Sequence, residues 1–222
     1  MEEGIMEHRE MQALPFIVTF IITTFLFVMI FSVANFTSYL NYSGISSENS
    51  AMSVALSDLN VYIESSSCEH TYLLDSSKKL DEVGAKLNIL EKSFGKLDSR
   101  VVEQKVLYSE IEMRHYALIK KLNDFCGKNF TTLLFFYSNS EEKQDESDNM
   151  GYILGVFKQR HPDEVMVYSF DSNLNSTLID SLLIKYNISY APVVLINDNQ
   201  GVEISNLVQL EKIVFEKPSS QI

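Results

Sequence analysis

The chain has 222 residues, two cysteines and four histidines, with a formal net charge of −12 at pH 7. That length allows one or two compact units. Two cysteines exclude a disulfide-dense scaffold or a four-cysteine zinc site. The charge divides as −3 over residues 1–45, −3 over 46–126 and −6 over 127–222, so no stretch is basic enough to follow a phosphate backbone and a nucleic-acid partner is not expected.

The histidines stand at positions 8, 70, 115 and 161, without metal-ligand spacing. No phosphate-binding glycine loop, dinucleotide fingerprint, nucleophile elbow or zinc-protease pair occurs. The expectation is a chain without catalytic residues, metal or cofactor.

Residues 11–47 contain no charged side chain, and 16 of the 21 residues in 14–34 are Leu, Ile, Val, Phe, Met or Ala. A helix of that length crosses the ~30 Å hydrocarbon core of a bilayer. A buried core helix does not suit a stretch that is apolar on every face. A cleaved signal peptide has an apolar region of only ~7–15 residues and a small-residue cleavage site, which Phe36-Thr-Ser-Tyr-Leu does not supply. The reading is an uncleaved signal anchor, with Pro15 in its first turn, where the missing N–H costs little.

Arg9 precedes the span and no Lys or Arg follows before Lys78, which points to a cytoplasmic N-terminus and an outside location for the rest. Asn-x-Ser/Thr sequons at Asn35, Asn41, Asn129, Asn175 and Asn187 agree with this. Asn35 lies too close to the membrane, leaving Asn41, Asn129, Asn175 and Asn187 as candidate glycosylation acceptors.

Residues 46–67 open with a Ser/Asn-rich stretch suited to capping. They continue with Met52, Leu56, Leu59 and Ile63 on one helical face. A seven-residue repeat follows: Leu73, Leu80, Leu87, Phe94, Val101, Tyr108, His115 and Leu122, with companions Ser76, Val83, Leu90, Leu97, Gln104, Ile111, Leu118 and Phe125. The pattern predicts a coiled coil or packed helical pair, and the Lys and Glu around it read as a solvated face. His115 reads as a partly buried seam residue, not a ligand.

A single helix over residues 72–125 would be about 80 Å long, holding Cys68 and Cys126 far apart. A disulfide needs Cα atoms within ~7 Å. Folding near residue 97 brings the cysteines together: Gly95 ends one helix and Asp98 or Ser99 caps the next. Gly84 is a rival break without a capping residue after it. The pair Cys68 and Cys126 would then staple the base of a hairpin. It closes a loop of about 58 residues and restricts the unfolded chain by roughly 4 kcal/mol on the entropic view. A bond between two chains and a redox-active pair are the alternatives.

Beyond Cys126 the period changes. Residues 131–137 form a continuous apolar run, a buried strand. Residues 138–149 read as an acidic loop with five acids and one Lys, lacking the spacing of a calcium loop. A helix over 150–159, a strand over 165–170, a helix over 176–186 and a strand over 193–196 come next. A turn at Asp198-Asn199-Gln200-Gly201, a short fourth strand over 202–204 and a helix over 207–215 complete the chain. The order β-α-β-α-β-β-α predicts a parallel core with helices on its faces and an antiparallel edge.

Within this stretch, Leu133-Leu-Phe-Phe-Tyr-Ser resembles the first core strand and active-site entry of the thioredoxin-like superfamily. Tyr186-Asn-Ile-Ser-Tyr-Ala-Pro-Val-Val-Leu-Ile-Asn resembles its helix end, cis-proline loop and third strand. The resemblance covers residues 128–217 and implies a thioredoxin-like fold. Redox-active members carry Cys-x-x-Cys after the first strand, where a helix N-terminus lowers the thiol pKa. Here that place reads Ser138, Asn139, Ser140 and Glu141, followed by further acids. It has no sulfur and no neighbouring His or Lys base, and acids would raise the pKa of any nucleophile. The resemblance thus implies the fold without dithiol activity. Tyr190, Ala191, Pro192 and Val193 read either as a rigid turn shaping the sheet edge or, as the resemblance implies, as a contact for an extended peptide.

The domain plan is a cytoplasmic N-terminus (1–12), a transmembrane helix (13–35), a linker (36–45), a helical stalk (46–126), an α/β domain (127–217) and a tail (218–222). The functional expectation is a non-enzymatic, membrane-anchored interaction protein with a protein or peptide partner, monomeric or homodimeric. A membrane-anchored thiol-disulfide oxidoreductase or chaperone-like protein using Cys68 and Cys126 is one alternative. A coiled-coil homodimeric structural protein is the other.

Overall fold

The computed structural model describes residues 3–64 and 71–215, apart from the side chains of residues 3–13, 38, 41, 46, 48, 51–64 and 71–73. The chain divides into two compact units, Met1–Gly44 and Ile45–Ile222. Its elements are α1 (Glu3–Glu64), α2 (Thr71–Phe94), α3 (Ser99–Cys126), β1 (Thr131–Tyr137), α4 (Gln144–Arg160), β2 (Val165–Asp171), α5 (Thr177–Lys185), β3 (Val193–Ile196) and α6 (Leu207–Phe215).

The first unit is the apolar part of α1. Leu14–Ile45 is long and apolar enough to cross a membrane. Four of its polar side chains bond within the helix, which suits a lipid environment. The hydroxyls of Thr19, Thr23 and Thr37 donate to the carbonyls of Pro15, Thr19 and Val33, and Asn35 Nδ2 donates to the Phe31 carbonyl, all at 2.7–2.9 Å. Pro15, expected in the first turn, lies well inside α1 because the helix begins upstream in the polar N-terminal residues. The expected linker, 36–45, and the Ser/Asn-rich stretch after it are helical too, with no capping break.

In the second unit the hairpin is present. Gly95, at φ 90°, ends α2, and its N–H reaches the Glu91 carbonyl at 2.8 Å. The Asp98 carboxylate caps α3 by accepting the Arg100 N–H at 3.0 Å. Arg100 also lies 3.6 Å from the Phe94 ring centroid, joining the two helix ends. Leu80, Val83, Leu87, Leu90, Val101, Ile111, Leu118 and Leu122 are buried, as the seven-residue repeat predicts. Leu97 in the turn and Phe125 near the end of α3 are exposed instead.

The sheet has the order β2-β1-β3. β1 and β2 are parallel, in register from Thr131↔Val165 to Tyr137↔Asp171. β3 is antiparallel to β1, from Leu133↔Ile196 to Phe136↔Val193. The strand expected over 202–204 reduces to an isolated bridge, Val194↔Val202. Beyond it the chain leaves the sheet, because the Glu203 carbonyl is taken by Gln209 Nε2 at 3.1 Å on the way into α6.

Alternate strand residues face opposite cores. Leu134, Phe136, Met166, Tyr168, Phe170, Val193 and Leu195 pack with Leu80 of α2, with Ile111, Tyr116, Ile119 and Leu122 of α3, and with Ile179 and Leu182 of α5. Leu133, Phe135, Val165, Val194 and Ile196 pack with Met150, Ile153, Leu154 and Phe157 of α4, with Ile204 ahead of α6 and with Leu210 of α6. The hairpin is therefore one layer of the α/β unit, not a separate stalk. It shares a continuous core with the sheet.

α3 also covers the edge strand: Glu112 Oε1 accepts the backbone N–H of Ser169 in β2 at 2.9 Å. Covering an edge in this way removes a site of strand-to-strand aggregation. The acidic stretch is half helix, since α4 starts at Gln144. Asp145 and Glu146 stand in its first turn, where the helix dipole favours carboxylates.

Candidate functional site

Tyr137 and Asp171 are the last register pair of the parallel strands. Beyond them, Ser138–Glu141 turns toward α4. Crevices outside the carboxyl ends of parallel strands are the common ligand position in open α/β sheets. Here a cleft of about 780 Å³ opens between α2, α3, α4 and the ends of β1 and β2. Its rim includes Asn88, Lys92, Gln144, Asp148 and Tyr152.

The wall of the cleft is a polar network. Lys105 of α3 is 3% exposed and lies between two carboxylates, pairing with Glu91 of α2 and with Asp171 Oδ2 at 2.9 Å. Asp171 Oδ2 also accepts Asn139 Nδ2 at 2.6 Å, while its Oδ1 accepts the Asn173 N–H at 3.0 Å. Lys96 Nζ, in the hairpin turn, donates to Asn139 Oδ1 at 2.7 Å. The hairpin and the loop after β1 are thus tied together by Asn139. The Tyr137 ring lies 5.8 Å from Lys105 Nζ. Burial, reinforced by the Asp171 and Glu91 charges, pushes the Tyr137 phenol well up, so it stays neutral.

Ser138 is buried and fully engaged. Its hydroxyl donates to Asn173 Oδ1 at 2.7 Å and accepts the Ser140 N–H at 3.2 Å, while its own N–H donates to Ser147 Oγ at 3.0 Å. No base is among these partners, so the arrangement holds the loop in shape without activating a nucleophile. Ser140 and Glu141 are exposed.

Pro192, on a cis Ala191–Pro192 bond, precedes β3 beside the end of β1. Pro192 and Val193 are buried, Ala191 is half-buried and Tyr190 is exposed. The structure therefore brings Ser138–Glu141 and Tyr190–Val193 to one end of the sheet.

At the opposite end, Asp198 accepts hydrogen bonds from Tyr116, from Lys120 and from the Tyr186 hydroxyl at 2.8 Å. Burial alone would raise the Asp198 pKa, but the bonds from Lys120, Tyr116 and Tyr186 hold it below the usual carboxylate range. The cluster latches α3 and α5 to the turn after β3. His115 is wholly buried, with Nδ1 2.8 Å from the Tyr168 hydroxyl.

Cys126 is disulfide-bonded, and Cys68 lies outside the described residues. Asn129, Asn175 and Asn187 are exposed, whereas the Asn41 side chain and the tail lie outside the described residues. The side chains of Met52, Leu56, Leu59 and Ile63 do too.

Lys105, Glu91 and Glu112 are not legible as site residues, because the Lys and Glu of the hairpin read as a solvated face, and Asp171 is not because it lies one residue past the strand expected over 165–170. The signal for Lys105 was its position beside Gln104, a seam residue that is itself buried and accepts from Asn49 Nδ2 at 3.0 Å. A comparison with protein-family models, curated proteins and solved structures finds no match to this chain.

Proposed function

We propose that this chain is a single-pass membrane-anchored protein whose second unit, outside the cytoplasm, is a thioredoxin-like, non-enzymatic binding module for a protein or peptide. The observation that carries this reading is the cleft at the carboxyl ends of β1 and β2. There a closed set of Ser, Asn, Asp and Lys hydrogen bonds occupies the place of a dithiol. A buried network whose members satisfy one another fixes a shape, which suits recognition. Support for the fold comes from the order β2-β1-β3, the antiparallel β3 and the position of Pro192 just before it. Support for the orientation comes from Arg9 on one flank of the span, from exposed sequons at Asn129, Asn175 and Asn187, and from the disulfide at Cys126, which suits an oxidising space.

The test is a photo-crosslinking residue at Tyr152 on the cleft rim, in the full chain in its native membrane. A control at exposed Ile184 on α5 accompanies it. A discrete adduct at 152 and none at 184 is expected, and equal labelling at both positions would contradict the reading.

The Cys126 disulfide favours a second reading, thiol-disulfide exchange with Cys68 as partner. Exchange pairs are tuned by proximity to a helix N-terminus, whereas Cys126 closes the C-terminal end of α3. Loss of insulin-reducing activity in Cys68→Ser would favour exchange, and no activity in the unaltered chain would remove it.

A further inference from the structure

Beside the cleft lies a smaller open chamber of about 190 Å³, which shares Tyr108, Phe135, Gly151 and Ser169 with it as lining residues. Phe135 of β1, Leu154 of α4 and Val167 of β2 form the apolar part of its wall. α4 opens a notch there with Gly151 and Gly155. A Cβ on Gly151 would stand 3.4 Å from the Phe135 ring, and one on Gly155 would meet only open space.

Glu112 also lines the chamber and is 2% exposed. One carboxyl oxygen accepts the Ser169 N–H, while the other, Oε2, is buried without a hydrogen-bond partner. An unpaired buried carboxyl oxygen is costly to a fold, and the chamber's own cation does not serve it, because Lys158 pairs with Asp81.

Starting from the cleft as the binding site, we propose that this chamber receives an alkyl-ammonium group, with Glu112 as its counter-ion. The group would be a lysine side chain of the bound peptide or the end of a free polyamine. The apolar walls suit a methylene stem and the carboxyl suits its head, the division of a lysine side chain itself. Tyr108, whose hydroxyl donates to the Leu80 carbonyl at 3.1 Å, lines the chamber as a second acceptor.

Facing Glu112 are Asp81 from α2, Lys158 from α4, and the neutral phenols of Tyr108 and Tyr168 from α3 and β2, with His115 one turn along α3 hydrogen-bonded to Tyr168. Asp81 and Lys158 act on Glu112 in opposite directions, and burial pushes its carboxyl well above the usual carboxylate range. Below the raised folded pKa of Glu112, binding releases the carboxyl proton to solvent and the group pairs as the carboxylate, so affinity rises with pH until Glu112 ionises unaided.

The test is calorimetric titration of the full chain in phosphatidylcholine nanodiscs. The probes are a capped pentapeptide with a central lysine, its norleucine counterpart, and 1,5-diaminopentane. The amine probes should bind about tenfold or more tighter than norleucine. Their affinity should climb by up to about tenfold per pH unit with one proton released per site. Glu112→Gln, which mimics the protonated acid, should lose that preference. Gly155→Leu, which fills the notch, should block binding without touching Glu112.

A tighter lysine peptide assigns a protein source, and a tighter diamine assigns a free polyamine. Both outcomes support the ammonium pocket. Binding of both amine probes no tighter than the norleucine peptide, or an unchanged preference in Glu112→Gln, would overturn it. A specific crosslink at Tyr152 alongside equal binding would leave the module reading standing and remove only this inference.

Discussion

Asp198 and Lys105 are polar residues placed where their partners are already fixed, and each supports a separate joint. Asp198 holds α3, α5 and the turn after β3. Because its folded pKa is depressed, its contribution is present above the unfolded value of ~3.9 and is lost as pH falls through the folded value. Asp198→Asn should lower stability by about 1.5–3 kcal/mol at neutral pH. The difference from the unaltered chain should shrink toward zero in acid, read by denaturant unfolding of the full chain in detergent at several pH values. Lys105→Met removes the buried cation between Glu91 and Asp171 and leaves two carboxylates facing each other. A loss of about 3–5 kcal/mol is expected from the same unfolding measurement, and a change near zero would show that the network is solvated.

The elements meet through close approaches that single residues permit. Gly84 of α2 does not break its helix. It makes room for Tyr108, since a Cβ there would stand 2.6 Å from the Tyr108 oxygen. Gly84→Ala should destabilise by about 1–3 kcal/mol despite its better helix propensity, because a packed hairpin resists overfilling. Gly155→Ala, where a Cβ meets nothing within 4 Å, should be neutral or slightly stabilising. Circular dichroism melts of the pair separate packing from propensity.

At this level much of the fold is legible in order and period. The turn at Gly95 and Asp98, the buried run of β1 and the succession of α4, β2, α5 and β3 follow from local chemistry. The fate of the hairpin does not. A seven-residue repeat predicts one buried seam, but α3 packs against α2 and against β2 together. Its buried face is wider than the seam and takes in Lys105 and Glu112. That face depends on contacts between residues far apart in the chain, such as Glu112 with Ser169, which no local pattern encodes. The fourth strand failed for a similar reason: the Gln209 side chain, not a strand, claims the Glu203 carbonyl.

For the molecule as a whole, composition sets the apolar stretch near the N-terminus apart from the rest, and the structure divides into the units Met1–Gly44 and Ile45–Ile222, the second holding the hairpin and the sheet together. The side of the membrane on which the second unit lies decides whether the cleft meets outside partners and whether a disulfide persists. The most direct measurement is the state of Cys68 and Cys126 in native membranes. Free thiols are alkylated first, the protein is digested without reduction, and linked peptides are identified by mass. The expected result is one linked peptide pair joining Cys68 to Cys126 within a single chain, with neither thiol alkylated. Two alkylated thiols would contradict the proposed outside location and place the cleft in a reducing compartment.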